Sequence, residues 1–435
     1  MDTTRLQWID SFVQEIKPYI YVREEDSLLI LVPNQAHKLN RTGIWLLKML
    51  LDGHPISSLL TKIPEEDNAH IQVHEFFCDI RSLVRGCFRE GSGRSGIEFT
   101  MYRPPLNTLP ILSELAVTYR CNLHCLFCYA GDHYPSFPEK DAPSLLRMID
   151  IIYNEAQVPS ISFTGGEPTL RSDLEQLISH AAGRGMWTNL ITNATLITRD
   201  YARKLSDAGL KSAQVSLEAS SACLHDQIVG KTGAYEKTLR GIEMLKSAGI
   251  KVHTNTTLNQ LNAEDAGNGF IPLLKSLGLS RFSMNLMIPC GSAIHHLKNL
   301  RVSYSQLPFL LKGIKDKARG AGIKFLWYSP TPYCLFNPIA EGLGNKSCAA
   351  CDGLLSLAPD GSVLPCSSYN RKVGNLLETP FRRIWQGVKA GYFKEKRFLP
   401  GACRGCEHAE ICSGACPLYW KAYGMEEIRH EMRKR

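Results

Sequence analysis

Between about residues 108 and 325, short runs rich in β-branched and aromatic residues alternate with stretches whose apolar positions recur every three or four residues. The runs predict strands over 111–119, 160–165, 187–193, 212–219, 251–258 and 281–288. The amphipathic stretches predict helices over 144–156, 173–185, 235–249 and 264–278. Strands that alternate with helices pair in parallel through right-handed crossovers. The central part is therefore predicted to be an α/β fold, a partial (β/α)6 TIM-type barrel with its chemistry at the carboxyl ends of the strands.

The two flanking regions have different patterns. Near the amino terminus a strand-like run over 27–32 precedes an apolar helical run over 43–51. From residue 331 the alternation disappears, and the chain becomes rich in Cys, Gly and Pro, as a metal-organised domain with little core of its own is. We therefore expect three parts, over 1–105, 106–328 and 329–435.

Composition narrows the class of protein. The chain has 435 residues, 44% of them hydrophobic and 21% charged, which excludes a disordered or fibrous protein. No apolar segment near the amino terminus resembles a signal peptide, and no run approaches the length of a membrane span, so we expect a soluble, cytoplasmic protein without a membrane partner. A net charge of +8 does not require a nucleic-acid partner, and none is expected.

The 15 cysteines change this picture. In a reducing cytosol, grouped cysteines are metal ligands or catalytic groups more often than disulfides. Three lie together at 121–128, and eight lie between 334 and 416. The remaining four, which are interpreted as packed thiols, are Cys78, Cys87, Cys223 and Cys290.

The first group directly follows the first predicted barrel strand. Cys121, Cys125 and Cys128 form a C-x3-C-x2-C loop that ends in Tyr129. Three thiolates can bind three irons of a [4Fe-4S] cluster and leave the fourth iron open to a substrate or cofactor. A zinc site with a fourth ligand elsewhere, or an accidental grouping, is the alternative.

The second predicted strand ends in the sequence TGGEP, residues 164–168. Glycines allow a cofactor to approach the backbone, and a carboxylate beside them can hold an ammonium group. Together with the cysteine loop one strand earlier, this motif resembles the radical S-adenosylmethionine (SAM) superfamily.

The resemblance implies a [4Fe-4S] cluster on the three cysteines that chelates SAM. It further implies that the two glycines and the glutamate line the methionine amine, that the tyrosine backbone contacts adenine, that three polar residues reach the ribose and carboxylate, and that an isoleucine lies beside adenine. These positions are Tyr129, Gly165, Gly166, Glu167, Asn193, Ser216, Glu218 and Ile288. Val229 stands where many relatives have an arginine for the SAM carboxylate, and Lys231 is the nearby substitute.

The carboxyl-terminal cysteines match the spacing of the SPASM domain of peptide-modifying radical SAM enzymes. The resemblance implies two auxiliary [4Fe-4S] clusters, one on Cys351, Cys366 and Cys416 with either Cys348 or Cys334 upstream. The second would lie on Cys403, Cys406 and Cys412. The family's last cysteine is missing, so three alternatives remain open: Cys334 completes the second cluster, His430 or a tail glutamate does, or one iron stays open. Two structural zinc sites are the competing interpretation of the whole group.

The amino-terminal region resembles the pyrroloquinoline-quinone chaperone family, which consists of winged-helix modules that hold a precursor peptide. The resemblance rests on LNRTG at 39–43, WLL at 45–47 and DG at 52–53. We therefore expect a winged-helix-like domain that binds a precursor peptide through residues 1–105. A generic winged helix that binds DNA is the alternative, although no basic recognition helix is evident.

These resemblances together imply a radical SAM enzyme that cleaves SAM to a 5′-deoxyadenosyl radical, with flavodoxin or ferredoxin as external electron donor. The radical would abstract a hydrogen atom from a side chain of a ribosomally made peptide, and a thioether or carbon–carbon crosslink would follow as an auxiliary cluster accepts an electron or binds a substrate thiolate. The same architecture serves sulfatase maturation and porphyrin decarboxylation, and an iron–sulfur regulator is the alternative of another class. Three clusters predict about 12 irons per chain.

Overall fold

The computed structural model describes residues 3–63, 68–86, 107–133 and 136–428. Cys87 and His430 lie outside these ranges. The chain forms two compact units, Met1–Ile111 and Leu112–Arg435. In the described ranges, no helix is long and apolar enough to cross a membrane.

The first unit packs helices against a small antiparallel sheet. Its strands, in spatial order, are β1 (Ile20–Arg23), β2 (Leu28–Leu31) and β3 (Gln35–Lys38). Its helices are α1 (Trp8–Ile16), α2 (Arg41–Leu51), α3 (Ile56–Leu60) and α4 (Ala69–Val84). The strand and helix predicted over 27–32 and 43–51 are both confirmed. The Asn40 side chain caps α2 by accepting a hydrogen bond from the Gly43 amide at 2.7 Å.

A buried ion pair anchors the end of this unit. Arg23 donates from Nε to Asp26 Oδ1 at 2.8 Å, and its two amino groups donate to the carbonyls of Leu109 and Pro110. Asp26 in turn accepts a hydrogen bond from the Thr108 amide at 3.0 Å. The segment that leaves the unit is therefore held on the β1–β2 hairpin.

The second unit is built on one ten-stranded sheet. In chain order its strands are β4 (Leu112–Thr118), β5 (Ser160–Gly165), β6 (Trp187–Thr192), β7 (Ser212–Ser216), β8 (Lys251–Leu258), β9 (Arg281–Leu286), β10 (Lys324–Trp327), β11 (Leu354–Leu357), β12 (Ser362–Leu364) and β13 (Gly374–Asn375). Strands β4 to β10 lie side by side in chain order and pair in parallel, which makes the partial barrel. All six predicted strands are present, and the four-residue β10 was not predicted.

Helices connect the parallel strands and cover the apolar face of the sheet. They are α5 (Ala142–Asn154), α6 (Leu174–Gly183), α7 (Arg199–Asp207), α8 (Ala222–Val229), α9 (Ala234–Ser247), α10 (Ala263–Asn268), α11 (Phe270–Ser276), α12 (Leu297–Leu300) and α13 (Leu307–Gly320). The single helix predicted over 264–278 is wrong, because the segment forms two helices, α10 and α11. Pro272 has no amide to donate to the Asn268 carbonyl, so the first helix cannot continue through it.

The cysteine-rich segment extends the same sheet rather than standing apart from it. β11 pairs in parallel with β4, from Leu354 opposite Leu112 to Leu357 opposite Leu115, and β12 and β13 follow antiparallel. The helices of this segment are α14 (Phe381–Trp385), α15 (Val388–Lys394), α16 (Ala409–Cys412) and α17 (Pro417–Tyr423). The strand that leads into the cysteine loop is therefore also the strand that anchors the carboxyl-terminal cysteines.

Candidate active site and thiol clusters

The loop after β4 carries three thiols and is hydrogen-bonded to the carboxyl end of α8. The amides of His124 and Leu126 donate to the carbonyls of Val229 and Ile228, each at 3.0 Å. Lys231 donates from Nζ to the Asn122 carbonyl, also at 3.0 Å. Val229, at the position where relatives have an arginine, is buried against the same loop. Both departures from the family pattern therefore support the loop.

A cavity of about 790 Å³ opens over this loop, which is a size typical of cofactor sites. Of the residues the structure describes, three cysteines line it, and they are Cys121, Cys125 and Cys128. Burial raises the pKa of Cys121 to about 11, and burial followed by the charges of Cys128, Glu218 and Cys121 raises the pKa of Cys125 well above its usual value. Thiols this close and buried become thiolates most readily when they bind a cation. The donor set fits three irons of a cluster with one iron open.

The two glycines of the TGGEP motif are required by the neighbouring strand. Gly165 has φ +134°, and a Cβ there would lie 1.9 Å from the Thr118 carbonyl oxygen. A Cβ on Gly166 would lie 2.3 Å from the Arg120 carbonyl oxygen. The Gly166 amide donates to the Thr118 carbonyl at 2.8 Å. The sequence predicts that a cofactor approaches these glycines closely. In the structure the close approach is that of the protein's own backbone, between β5 and the start of the cysteine loop. Gly166 also lines the cavity.

Glu167 connects the ends of β5 and β6. Its Oε1 accepts hydrogen bonds from the Thr169 amide at 3.1 Å, the Thr169 hydroxyl at 2.6 Å and the Thr192 hydroxyl at 2.7 Å. Its Oε2 accepts one from the Asn193 amide at 2.8 Å. A carboxylate has about four acceptor sites. Burial raises the pKa of Glu167, and the protein's own donors offset that effect.

Asn193 and Glu218 lie at adjacent strand ends. The Asn193 side chain donates to Asn122 Oδ1 at 2.9 Å, which joins the β6 turn to the cysteine loop. Glu218 is buried, and its Oε2 accepts a hydrogen bond from the Thr257 amide at 2.8 Å. Burial raises the pKa of Glu218 to about 8. Ser216 is half-buried at the end of β7.

Tyr129 and the segment after β9 close the other side of the loop. The Tyr129 hydroxyl donates to the Gly165 carbonyl at 3.2 Å, so it joins the cysteine loop to the TGGEP motif. Ile288 is half-buried, and its carbonyl accepts a hydrogen bond from the Cys290 amide at 2.8 Å. Two residues on, the Ser292 amide donates to the Cys128 carbonyl at 2.9 Å. Of the sequence-predicted SAM contacts, Tyr129, Gly166 and Asn193 therefore lie at the cysteine loop.

Four carboxyl-terminal thiols gather beside β11 and β12. They are Cys348, Cys351, Cys366 and Cys416. Burial raises the pKa of each, and the charge of Cys348 contributes to the rise at the other three. The Cys351 amide donates to the Pro365 carbonyl at 3.0 Å, which draws the two loops together.

The other four thiols form a second group nearer the surface. Cys412 is buried, Cys334 and Cys403 are half-buried, and Cys406 is exposed. Burial, followed by the charges of Cys412, Cys334 and Cys406, raises the pKa of Cys403 to about 11. Across the described ranges, no three His, Cys, Asp or Glu side chains are arranged to hold a single metal ion. Each thiolate of a four-iron cluster binds a different iron, and two groups of four thiols match that requirement.

One acidic residue of the site was not anticipated from the sequence. Glu114 lies on β4, on the face of the sheet opposite its buried apolar residues. It accepts a hydrogen bond from the Ser356 hydroxyl at 2.6 Å. Burial raises its pKa, and its charge acts on Tyr129 and Cys366, one from each thiol region. A single acidic residue in a strand of apolar and hydroxyl side chains was the available signal.

Comparison with known proteins gives the family. Residues 115–267 match the radical SAM superfamily, and residues 327–407 match the SPASM iron–sulfur cluster-binding domain. An AdoMet-dependent heme synthase of Oleidesulfovibrio alaskensis is 30% identical over 315 residues, which cover 68% of this chain and 80% of the relative. A PqqA peptide cyclase of Bradyrhizobium diazoefficiens is 26% identical over 71% of this chain and 81% of the relative.

A solved structure resembles nearly the whole fold. SuiB of Streptococcus suis, bound to its precursor peptide SuiA, has a TM-score of 0.69 at 18% identity and covers 92% of this chain and 95% of its own. With the cysteine loop, the TGGEP motif and the carboxyl-terminal thiols in place, the chain belongs to the radical SAM superfamily: it is a radical SAM enzyme that uses SAM and a [4Fe-4S] cluster and carries auxiliary iron–sulfur clusters in a SPASM domain.

Proposed function

We propose that this enzyme modifies a ribosomally made precursor peptide and forms a thioether or carbon–carbon crosslink on one of its side chains. When bound, SAM and its cluster supply a 5′-deoxyadenosyl radical, which can remove a hydrogen atom from an unactivated carbon. The protein's part is to bind and orient the peptide and to exclude water. An external donor such as flavodoxin or ferredoxin supplies the electron.

The observation that carries the proposal is the first unit. The match to SuiB leaves only about 35 of the 435 residues outside it, so it includes most of Met1–Ile111. The heme synthase match covers 68% of the chain. SuiB is a protein solved with a precursor peptide, and a unit shared with it favours a peptide as the substrate here too. In this proposal residues 1–105 bind that peptide.

The inner face of the barrel supports a peptide as well. Its strands carry amide and hydroxyl groups that already pair across the face: Asn189 donates to Ser162 at 3.1 Å, and Asn255 donates to Asn285 at 2.7 Å. Such groups pair well with the amides of a peptide backbone. Glu114 lies on the same face, and because burial raises its pKa, it is a carboxyl group suited to hold a substrate proton.

The cofactor ligands follow from the thiol groups. Cys121, Cys125 and Cys128 would hold the cluster that binds SAM, with Gly166 in the cavity wall. Glu167 would act as a positioning residue, since its oxygens are occupied by the protein. Cys348, Cys351, Cys366 and Cys416 would hold the first auxiliary cluster.

The test uses the reconstituted full-length enzyme under anaerobic conditions with SAM and a reductant. One arm receives peptides encoded by short reading frames beside the gene, and the other receives Fe-coproporphyrin III. We expect 5′-deoxyadenosine, a peptide lighter by two hydrogen atoms and an unchanged porphyrin, all by mass spectrometry. Decarboxylation of the porphyrin with no change in any peptide would overturn the proposal in favour of the second candidate, a heme-synthase-like enzyme, which the 30% identity to that family favours.

A second measurement tests the role of the first unit. Hydrogen exchange of the full chain is measured with and without the substrate peptide in its unmodified form. Protection concentrated in Met1–Ile111 is expected. Protection confined to the second unit would contradict peptide recognition by the first.

A further inference from the structure

We propose that Cys334 is the fourth ligand of the second auxiliary [4Fe-4S] cluster, together with Cys403, Cys406 and Cys412. Cys334 lies in the loop after β10, far earlier in the chain than the other three. It would replace the terminal cysteine that the family spacing calls for and this chain lacks. The proposal concerns the cluster alone and does not depend on the identity of the substrate.

The loop around Cys334 is already attached to the cysteine of α16. The Tyr333 amide donates to Cys412 Sγ at 3.4 Å, and the Cys412 thiol donates to the Thr331 carbonyl at 3.9 Å. The amides of Leu335 and Phe336 both donate to the Pro332 carbonyl at 3.0 Å, so the loop turns tightly around residue 334. Amides that donate to a ligating sulfur are a common feature of iron–sulfur sites. Cys334 and Cys412 are therefore placed on the same site by backbone contacts.

The remaining two thiols lie on the same site. The Cys406 amide donates to the Cys403 carbonyl at 3.2 Å, which closes a Cys-x2-Cys turn. The Ala409 amide, at the start of α16, donates to the Cys406 carbonyl at 3.0 Å, so this turn is joined directly to the helix that carries Cys412. Each of the four thiols comes from a short loop or helix end, as the ligands of a cluster do.

Cys348 is already committed to the first cluster. Cys348 lies three residues before Cys351, whose amide donates at 3.0 Å to the Pro365 carbonyl beside Cys366, so that group has an upstream thiol without Cys334. The eight carboxyl-terminal cysteines therefore divide into two groups of four.

Glu427, a glutamate of the carboxyl-terminal tail, already accepts hydrogen bonds within the protein. Its Oε1 accepts hydrogen bonds from Arg301 at 3.0 Å and from the Tyr419 hydroxyl at 2.8 Å. Its Oε2 accepts two from Ser305, at 2.8 Å from the amide and 2.7 Å from the hydroxyl. With about four acceptor sites filled, this carboxylate has no strong tendency to bind iron.

The experiment compares Cys334→Ala with Cys223→Ala in the reconstituted full-length enzyme. Cys223 is exposed on α8, so its interpretation as a packed thiol is wrong. Iron and sulfide are counted, and the reduced clusters are examined by electron paramagnetic resonance. Cys223→Ala is expected to keep about 12 irons, and Cys334→Ala is expected to lose between one and four of them with the loss or conversion of one [4Fe-4S] signal. Formation of 5′-deoxyadenosine without peptide should persist in Cys223→Ala. Iron and spectra in Cys334→Ala that equal those of the control would overturn the proposal, as would the same losses in His430→Ala but not in Cys334→Ala.

A second measurement uses the enzyme without any substitution, so it does not depend on whether a variant folds. Alkylation of the intact, cluster-loaded enzyme is followed by peptide mass spectrometry. Cys334 should react at least about tenfold more slowly than Cys223, and removal of the clusters should raise the rate at Cys334 but not at Cys223. Equal rates in the loaded enzyme would contradict ligation.

Discussion

The thiols of the barrel and those of the cysteine-rich segment come together in different ways. Three barrel cysteines lie within eight residues on one loop, and the surrounding strands only hold that loop in place. The eight others come from loops spread over 334–416 and meet only through the fold. A short loop can supply three ligands and leave one iron open, whereas loops from different parts of the fold can close a cluster with four. The difference separates a site that binds a cofactor from sites suited to electron transfer.

The largest expected effect contrasts one cysteine from each region. Cys125→Ala should abolish 5′-deoxyadenosine formation and lower the iron content from about 12 to about 8, because one cluster is lost. Cys351→Ala should lose a similar amount of iron but keep SAM cleavage in the absence of peptide, since the four proposed ligands of its cluster leave no iron open to SAM. Iron analysis and chromatography of the nucleoside products check both variants. Abolished cleavage in both would remove the distinction between the regions.

The barrel loop also depends on a close backbone contact between the ends of β4 and β5. Gly165→Ala should destabilise the protein by about 3 kcal/mol or more, since the new Cβ meets the Thr118 carbonyl at a positive φ. Gly183→Ala is the matched control, because a Cβ at this helical position meets nothing within 4 Å and should change stability by less than about 1 kcal/mol. Thermal unfolding followed by circular dichroism measures both. Equal melting temperatures would show that the backbone around Thr118 shifts at little cost in stability.

Part of this contrast could be predicted from the sequence. The alternating pattern identified six strands, and the spacing of Cys121, Cys125 and Cys128 identified the loop, because local spacing determines both. The sequence leaves three alternatives for the fourth ligand of the second cluster and cannot choose Cys334 among them, since that choice depends on where β10 ends and on the pairing of β11 with β4 across more than two hundred residues. Glu114 was missed for a similar reason: its importance comes from Ser356 on the neighbouring strand. The role of Glu167 in joining β5 to β6 also depends on donors from the next strand.

A smaller effect is expected at the connection between strand ends. Glu167→Gln replaces one acceptor oxygen by an NH2 group, which leaves at least one of the four donors unpaired at a cost of about 1–3 kcal/mol. Because the β6 turn also contacts the cysteine loop through Asn193, SAM cleavage should fall about 10- to 100-fold. Glu236→Gln, on the exposed side of α9, is the control and should leave the rate unchanged. A normal rate in Glu167→Gln would mean that the loop does not need this connection.

The smallest expected effect is a pH dependence at Glu218. Its folded pKa of about 8 lies above the ordinary value of 4.5, so at neutral pH the folded chain binds a proton that the unfolded chain has lost. Stability should therefore fall as pH rises from about 4.5 to about 8. In Glu218→Gln the fall in melting temperature between about pH 6 and about pH 8 should be smaller than in the parent. An equal or larger fall in the variant would show that Glu218 is ionised in the folded enzyme.

One measurement tests the division into one open and two closed sites most directly: Mössbauer spectroscopy of the enzyme reconstituted with ⁵⁷Fe, recorded with and without SAM. We expect about 12 irons per chain, and we expect SAM to change the signal of one iron in one cluster only. A total near four irons, or a spectrum that SAM leaves unchanged, would contradict it.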